Sequence, residues 1–260
     1  MKRHIVFYYL RFWLQSRNQP DVARLSCFND FNRKEDVPPL FREVLAKMQL
    51  SPSGDFERAL AIAVAQRMMI KGGRALGFES EKTLEMMLEG KGGVCSDQAQ
   101  AFNVFCLLAG IRVREWGTIE SASTPDVGHV INEIYSKELG RWIAIDVMKN
   151  LWFQSQNGLP LSVTELFASL RKGEPLRYVH FSSHRCIDMY KISRTYSGSC
   201  IPFYIDRYSN KTYDHYLKRF CGWHNAFIHG LMILMGQNYR YVFVLDNYRS
   251  LFFGAGKKKQ

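Results

Sequence analysis

The sequence predicts an α+β fold, because its hydrophobic period changes near residue 110. Apolar residues recur at helical spacing up to Ala109 and alternate from Ile111 onward, with Gly110 at the switch. The composition supports a packed core. With 47% hydrophobic and 14% aromatic residues against 23% charged, a chain of 260 residues folds unaided, as one elaborated domain or two modest ones.

The elements follow in order. Pro38-Pro39 makes the first strong break, and a helix is expected from about Leu40 to Leu50. Ser51-Pro52-Ser53-Gly54 supplies turn and cap residues for a second helix, Phe56 to Ile70, which Gly72-Gly73 ends. Ser80 is positioned to cap a third through Leu88, with Leu84, Met87 and Leu88 on one face, before Gly90-Lys91-Gly92-Gly93. A fourth begins at Cys95 and carries Ala99, Phe102, Phe105, Cys106 and Ala109 at helical spacing. Ile111 to Ile119, His129 to Tyr135 and Trp142 to Met148 then alternate as strands, with a polar loop at Glu120 to Asp126. Further on, Val163 to Leu170 reads as a helix and Tyr239 to Leu245 as a strand.

Several classes are excluded on composition and motif. Six cysteines with no C-x-x-C pair argue against a disulfide scaffold, a metal finger or a ferredoxin. His180, His184, Cys186, Cys221 and His224 lack the paired spacing of a zinc site, so no metal is expected. No calcium loop, phosphate-binding loop or dinucleotide fingerprint occurs, and no cofactor is expected. Arg11 interrupts the apolar run that follows Met1-Lys2-Arg3, and no stretch reaches the ~20 apolar residues of a membrane span, so a cytoplasmic protein without a transmembrane segment is the expectation.

Cys95 is the first chemical candidate. At a helix N-terminus, unpaired N–H groups and the helix dipole favour the thiolate that attacks carbonyls. Such a nucleophile needs a base and the base an orienting acceptor, roles that His129 and Asp146 can fill. A hairpin closed around Lys137-Glu138-Leu139-Gly140 pairs His129 with Met148 and Ile131 with Asp146, so His129 and Asp146 become diagonal neighbours on one face. Val130, Ile134, Ile143, Ile145 and Val147 fall on the other. That arrangement predicts a core on the isoleucine side and the Cys95 helix on the His129 side.

The segment Leu88 to Trp152, with Gly90-Lys91-Gly92-Gly93-Val94-Cys95, Gly128-His129-Val130-Ile131-Asn132-Glu133 and Trp142-Ile143-Ala144-Ile145-Asp146, resembles a bacterial transglutaminase-like domain. The resemblance implies a papain-like α+β fold in which the nucleophile begins a helix packed on an antiparallel sheet. It implies a Cys-His-Asp triad: Cys95 as nucleophile, His129 as general base then acid, Asp146 as orienter. A peptide or protein amide would be the substrate, transferred or hydrolysed through a Cys95 thioester as in thiol proteases. Ile131 and Val147 stand where the family often has an aromatic residue and a proline, positions that shape the acyl pocket. Glu133 matches a common acidic position, with binding or solvation of the strand edge as its expected roles. Two alternatives stand beside this reading: a non-catalytic binding module on the same fold, and an arylamine N-acetyltransferase-like enzyme, whose motif has arginine where Lys91 stands.

The chain accordingly divides into an N-terminal helical extension (1–50), a transglutaminase-like catalytic core (51–152) and a C-terminal part (153–260). The last is either an elaboration of the same domain or a small second subdomain. Residues 151–260 hold 15 Lys and Arg against 6 Asp and Glu, so most of the net charge of +11 lies there, interleaved with aromatic residues. An anionic partner for that part is the corresponding expectation, with a solvated face as its alternative.

Overall fold

The computed structural model describes residues 10, 12–48, 50, 54–120, 128–183 and 189–253. The lysine- and arginine-bearing start, the turn residues 51–53, nearly all of the polar loop predicted at 120–126, His184, Cys186 and the terminal lysines lie outside the described residues.

A short strand β1 (Ser16–Asn18) precedes four helices, α1 (Pro39–Ala46), α2 (Asp55–Met69), α3 (Ser80–Leu88) and α4 (Cys95–Ala109). The chain then runs through β2 (Arg112–Ile119), β3 (Gly128–Ser136), β4 (Arg141–Asp146) and β5 (Leu151–Gln154), as the switch to alternating apolar residues predicts. After these come α5 (Val163–Lys172), β6 (Arg177–His180), α6 (Met189–Thr195), β7 (Ile201–Asp206), α7 (Asn210–Arg219), α8 (Asn225–Leu234), β8 (Arg240–Phe243) and α9 (Tyr248–Phe253). No helix among the described residues is long and apolar enough to cross a membrane.

The strands form one sheet in the order β1-β8-β7-β2-β3-β4-β5-β6, antiparallel at every pairing except β1 with β8. This mixed α+β architecture, with a large and mostly antiparallel sheet, is the predicted fold class. Glu133 pairs with Ala144 and Ile134 with Ile143, the register that follows from closing the hairpin around Lys137 to Gly140.

Both faces of this sheet are covered. Ile134, Ile143, Ile145 and Val147 meet Phe102 and Phe105 of α4 in one buried cluster, together with Phe41 of α1 and Ile62 of α2. On the opposite face Trp116, Ile131 and Ala144 meet Phe153, Leu166 and Phe167, so α5 closes that side. The expected position of the Cys95 helix is therefore corrected: α4 packs on the isoleucine face, and His129 and Asp146 belong to the other. The apolar side chains of α4 select the face with matching isoleucines, and Asn132 fastens the contact by donating to Ala99 O at 3.1 Å and Asn103 Oδ1 at 2.8 Å.

Two local expectations are also corrected. Glu79, not Ser80, is the N-cap of α3; Ser80 instead donates its N–H and hydroxyl to Asp214 at 2.8 and 2.5 Å, tying α3 to α7. Glu133 neither binds a partner at the strand edge nor is solvated. It is buried, accepts from Trp116 Nε1 at 3.1 Å and caps the first N–H of α5, that of Val163, at 2.8 Å. A carboxylate there meets the positive end of the α5 dipole, an attraction that exposure to water would weaken.

Ile143 is fully buried in the isoleucine face, so truncating it leaves a cavity that the surrounding side chains only partly close. Ile143→Ala should lower unfolding free energy by about 2–5 kcal/mol, read from the midpoint of urea denaturation at unchanged m-value.

Candidate active site

The site begins with the two glycines before α4. Gly92 and Gly93 have φ of +157° and +112°, and a Cβ on them would lie 2.6 Å from Arg74 O and 2.8 Å from the Met87 side chain. Only glycine allows this approach. It lets residues 73–74 pair with the chain before Cys95, Gly93 N–H donating to Arg74 O at 2.8 Å and Gly73 N–H to Gly93 O at 3.1 Å. Asp97 completes the brace by accepting from Val94 N–H at 3.0 Å and Leu76 N–H at 3.3 Å. The first turn of α4 is thereby held on both sides, and Cys95 is its first residue.

Cys95 is half-buried, and its sulfur is hydrogen-bonded to the His129 ring and to the backbone N–H of Val130. His129 stands at the second residue of β3, at the strand end, where an imidazole from one face reaches a thiol on a helix packed against the other. Its Nε2 bonds Asp146 Oδ2 at 2.6 Å, leaving Nδ1 for the sulfur. Serine-protease triads use the two ring nitrogens the other way round. Asp146 is fully buried and takes two further hydrogen bonds, from Tyr196 OH at 2.5 Å and Lys149 N–H at 2.9 Å. Thus the structure brings Cys95, His129 and Asp146 together in sequence-predicted order, sulfur to imidazole to carboxylate.

The charges follow from this placement. Burial raises the pKa of Cys95, but the His129 hydrogen bond and charge and the Val130 N–H outweigh it, and the thiol ends below its ordinary value. For His129, burial opposes the cation while Asp146 and then Cys95 favour it, and the imidazole is pushed up to about 9. Burial also opposes the Asp146 anion, yet His129, Tyr196 and Lys149 hold that carboxyl below its usual range. Both shifts favour a thiolate beside an imidazolium over the neutral pair.

Tyr196 escaped the sequence analysis. It follows α6, fifty positions from Asp146, and is fully buried with its ring edge-on to Phe153 at 4.8 Å. No local pattern marks such a contact; the only signal was the aromatic richness of residues 151–260. Ile131 and Val147, expected to shape an acyl pocket, are buried in the two opposite cores. Lys91 pairs with Glu89 at 2.7 Å on the surface. Among the described residues no group of three or more His, Cys, Asp or Glu side chains could hold a metal; His180 contacts Asn150 O through Nδ1, and Cys221 and His224 are exposed.

Residues 42–147 match the transglutaminase-like superfamily, a span that contains Cys95, His129 and Asp146. No curated protein matches the chain.

Limiting iodoacetamide should modify Cys95 ahead of Cys27, Cys106, Cys200 and Cys221, as located by peptide mass spectrometry. The rate should rise with pH through a value below the ordinary thiol range and then level off. In His129→Gln, which removes the largest favourable contribution, that rise should move to higher pH.

Proposed function

We propose that the transglutaminase-like domain carried by this chain is a cysteine enzyme that cleaves a carboxamide or peptide amide through a thioester on Cys95. The Cys95–His129–Asp146 hydrogen-bonded chain is the observation that carries this reading, supported by the superfamily match. The Cys95 thiolate attacks the amide carbon, and the carbonyl electrons move to oxygen. The backbone N–H of Cys95, at the N-terminus of α4, faces the developing oxyanion. Collapse re-forms the carbonyl and breaks the C–N bond as His129 gives its proton to the leaving amine. Neutral His129 then takes a proton from water, whose oxygen displaces the thiolate and yields the carboxylic acid. An amine in place of water gives transfer; hydrolysis requires no second substrate pocket.

Residues 153–260 belong, on this reading, to the same domain as the nucleophile. The support is direct contact: β7 pairs with β2, and Tyr196 bonds the proposed orienting carboxylate.

The test is release of amine from amide-bearing peptides, with trapping of the acyl group on Cys95 by acid quench and mass spectrometry. Cys95→Ala should abolish both, and Asp146→Asn should lower kcat by about 10³–10⁴. Turnover should fall as pH passes about 9, where His129 loses the proton that the leaving amine needs. An acyl adduct on another cysteine, or turnover that survives Cys95→Ala, would sink the proposal. Tyr196→Phe deprives a buried carboxylate of a donor and should cost about 1.5–3 kcal/mol of stability in urea denaturation.

A further inference from the structure

The hairpin of α7 and α8 carries an apolar surface that none of the described residues covers. One face of α8 is used: Ile228 and Met232 are buried against Tyr216 and Leu217 of α7. The opposite stripe is not. Phe227 and Leu234, spaced for one face of α8, and Trp223, which precedes the N-cap His224, are 50%, 85% and 55% exposed, and neighbouring Met235 is 59% exposed. Trp223 packs tilted against Phe227 with centroids 4.6 Å apart and meets Phe220 edge-on at 5.8 Å, so the aromatic end forms one cluster. A helix apolar on both faces is normally buried on both.

The hairpin is also firmly mounted. Asp214 of α7 accepts two hydrogen bonds from Ser80, and Asn225 of α8 lies so close to Gly77 that a Cβ there would meet its Nδ2 at 2.6 Å. The exposed stripe is presented by a fixed support and needs little ordering on binding.

Charge selects the occupant. Residues 215–245 contain no Asp or Glu, whereas Lys218, Arg219 and Arg240 are exposed, as are His215 and His224. Two copies meeting through this face would bring equal positive charges together around their axis. An anionic surface would instead receive the basic side chains while protruding Trp, Phe, Leu and Met tips enter its apolar layer. Trp at the boundary and Lys/Arg beside it are the side chains suited to a lipid headgroup region.

We propose that the α7–α8 hairpin docks the protein on an anionic phospholipid bilayer, inserting Trp223, Phe227, Leu234 and Met235 while Lys218 and Arg219 contact headgroups. Sedimentation of the full chain with vesicles tests this, comparing phosphatidylcholine alone with phosphatidylcholine containing phosphatidylserine. Binding should require phosphatidylserine and weaken with salt. The double variant Trp223→Ala, Phe227→Ala should lose about tenfold or more in partitioning. Met68→Ser, at an exposed apolar position on α2, should lose nothing, and unchanged thermal melting would show that both proteins remain folded. Equal binding to both vesicle types, no binding, or binding unaffected by the double variant would each overturn the proposal. So would a self-association, seen in sedimentation equilibrium, that Leu234→Glu abolishes.

Discussion

Asp146 is an ionised carboxylate with no access to water, and such a group persists only where charge and hydrogen bonds replace the lost hydration. Three donors do so here, one local and two remote in sequence: Lys149 in the turn after β4, His129 at the start of β3 and Tyr196 beyond α6. Each imposes a condition on the fold. The hairpin must keep the register that places His129 and Asp146 on one face, the turn must present its amide, and the C-terminal helices must close over the sheet. The same three bonds fix the imidazole, leaving its other nitrogen for Cys95. The carboxylate therefore links folding of the C-terminal part to geometry at the thiol.

A sheet covered on both faces makes that link possible. The isoleucine side takes α4 and carries the thiol, whereas the Trp116 side takes α5 and Tyr196 and carries the histidine and aspartate. Imidazole and thiol consequently approach from opposite faces and meet at the end of a strand. A position further inside β3 would put the sheet between them, because successive side chains point to opposite faces.

What was legible in the sequence was local. Period, glycine punctuation and a four-residue turn gave the β3–β4 register, since a slip of one residue would break up the shared isoleucine face. Cys95 was legible because its helix is bounded by glycines at both ends. The face chosen by α4 was not, because both faces of β3 and β4 bear apolar side chains and alternation alone cannot rank them. Glu133 was misread for a related reason: its partners, Trp116 and the first amide of α5, are supplied by other elements. Tyr196 could be found only by knowing the packed structure.

Behind the thiol, one further buried carboxyl bears on its charge. Glu115 on β2 faces α4, where Gln100 and Asn103 donate to its Oε2, the latter at 2.6 Å, and neither donor is a cation. Burial, reinforced by the Cys95 charge, outweighs the Asn103 and Gln100 hydrogen bonds and pushes this carboxyl up to about 8, so at neutral pH it holds its proton. The surrounding inventory agrees with a neutral acid: Gln100 Oε1 and Asn132 Oδ1 are buried without a donor among the described residues, so the network is short of protons. An anion at Glu115 would oppose the thiolate from a buried position, where opposition is poorly screened. By keeping its proton, Glu115 anchors the nucleophile's helix through hydrogen bonds while adding no negative charge to offset the imidazolium and the helix dipole that favour the thiolate.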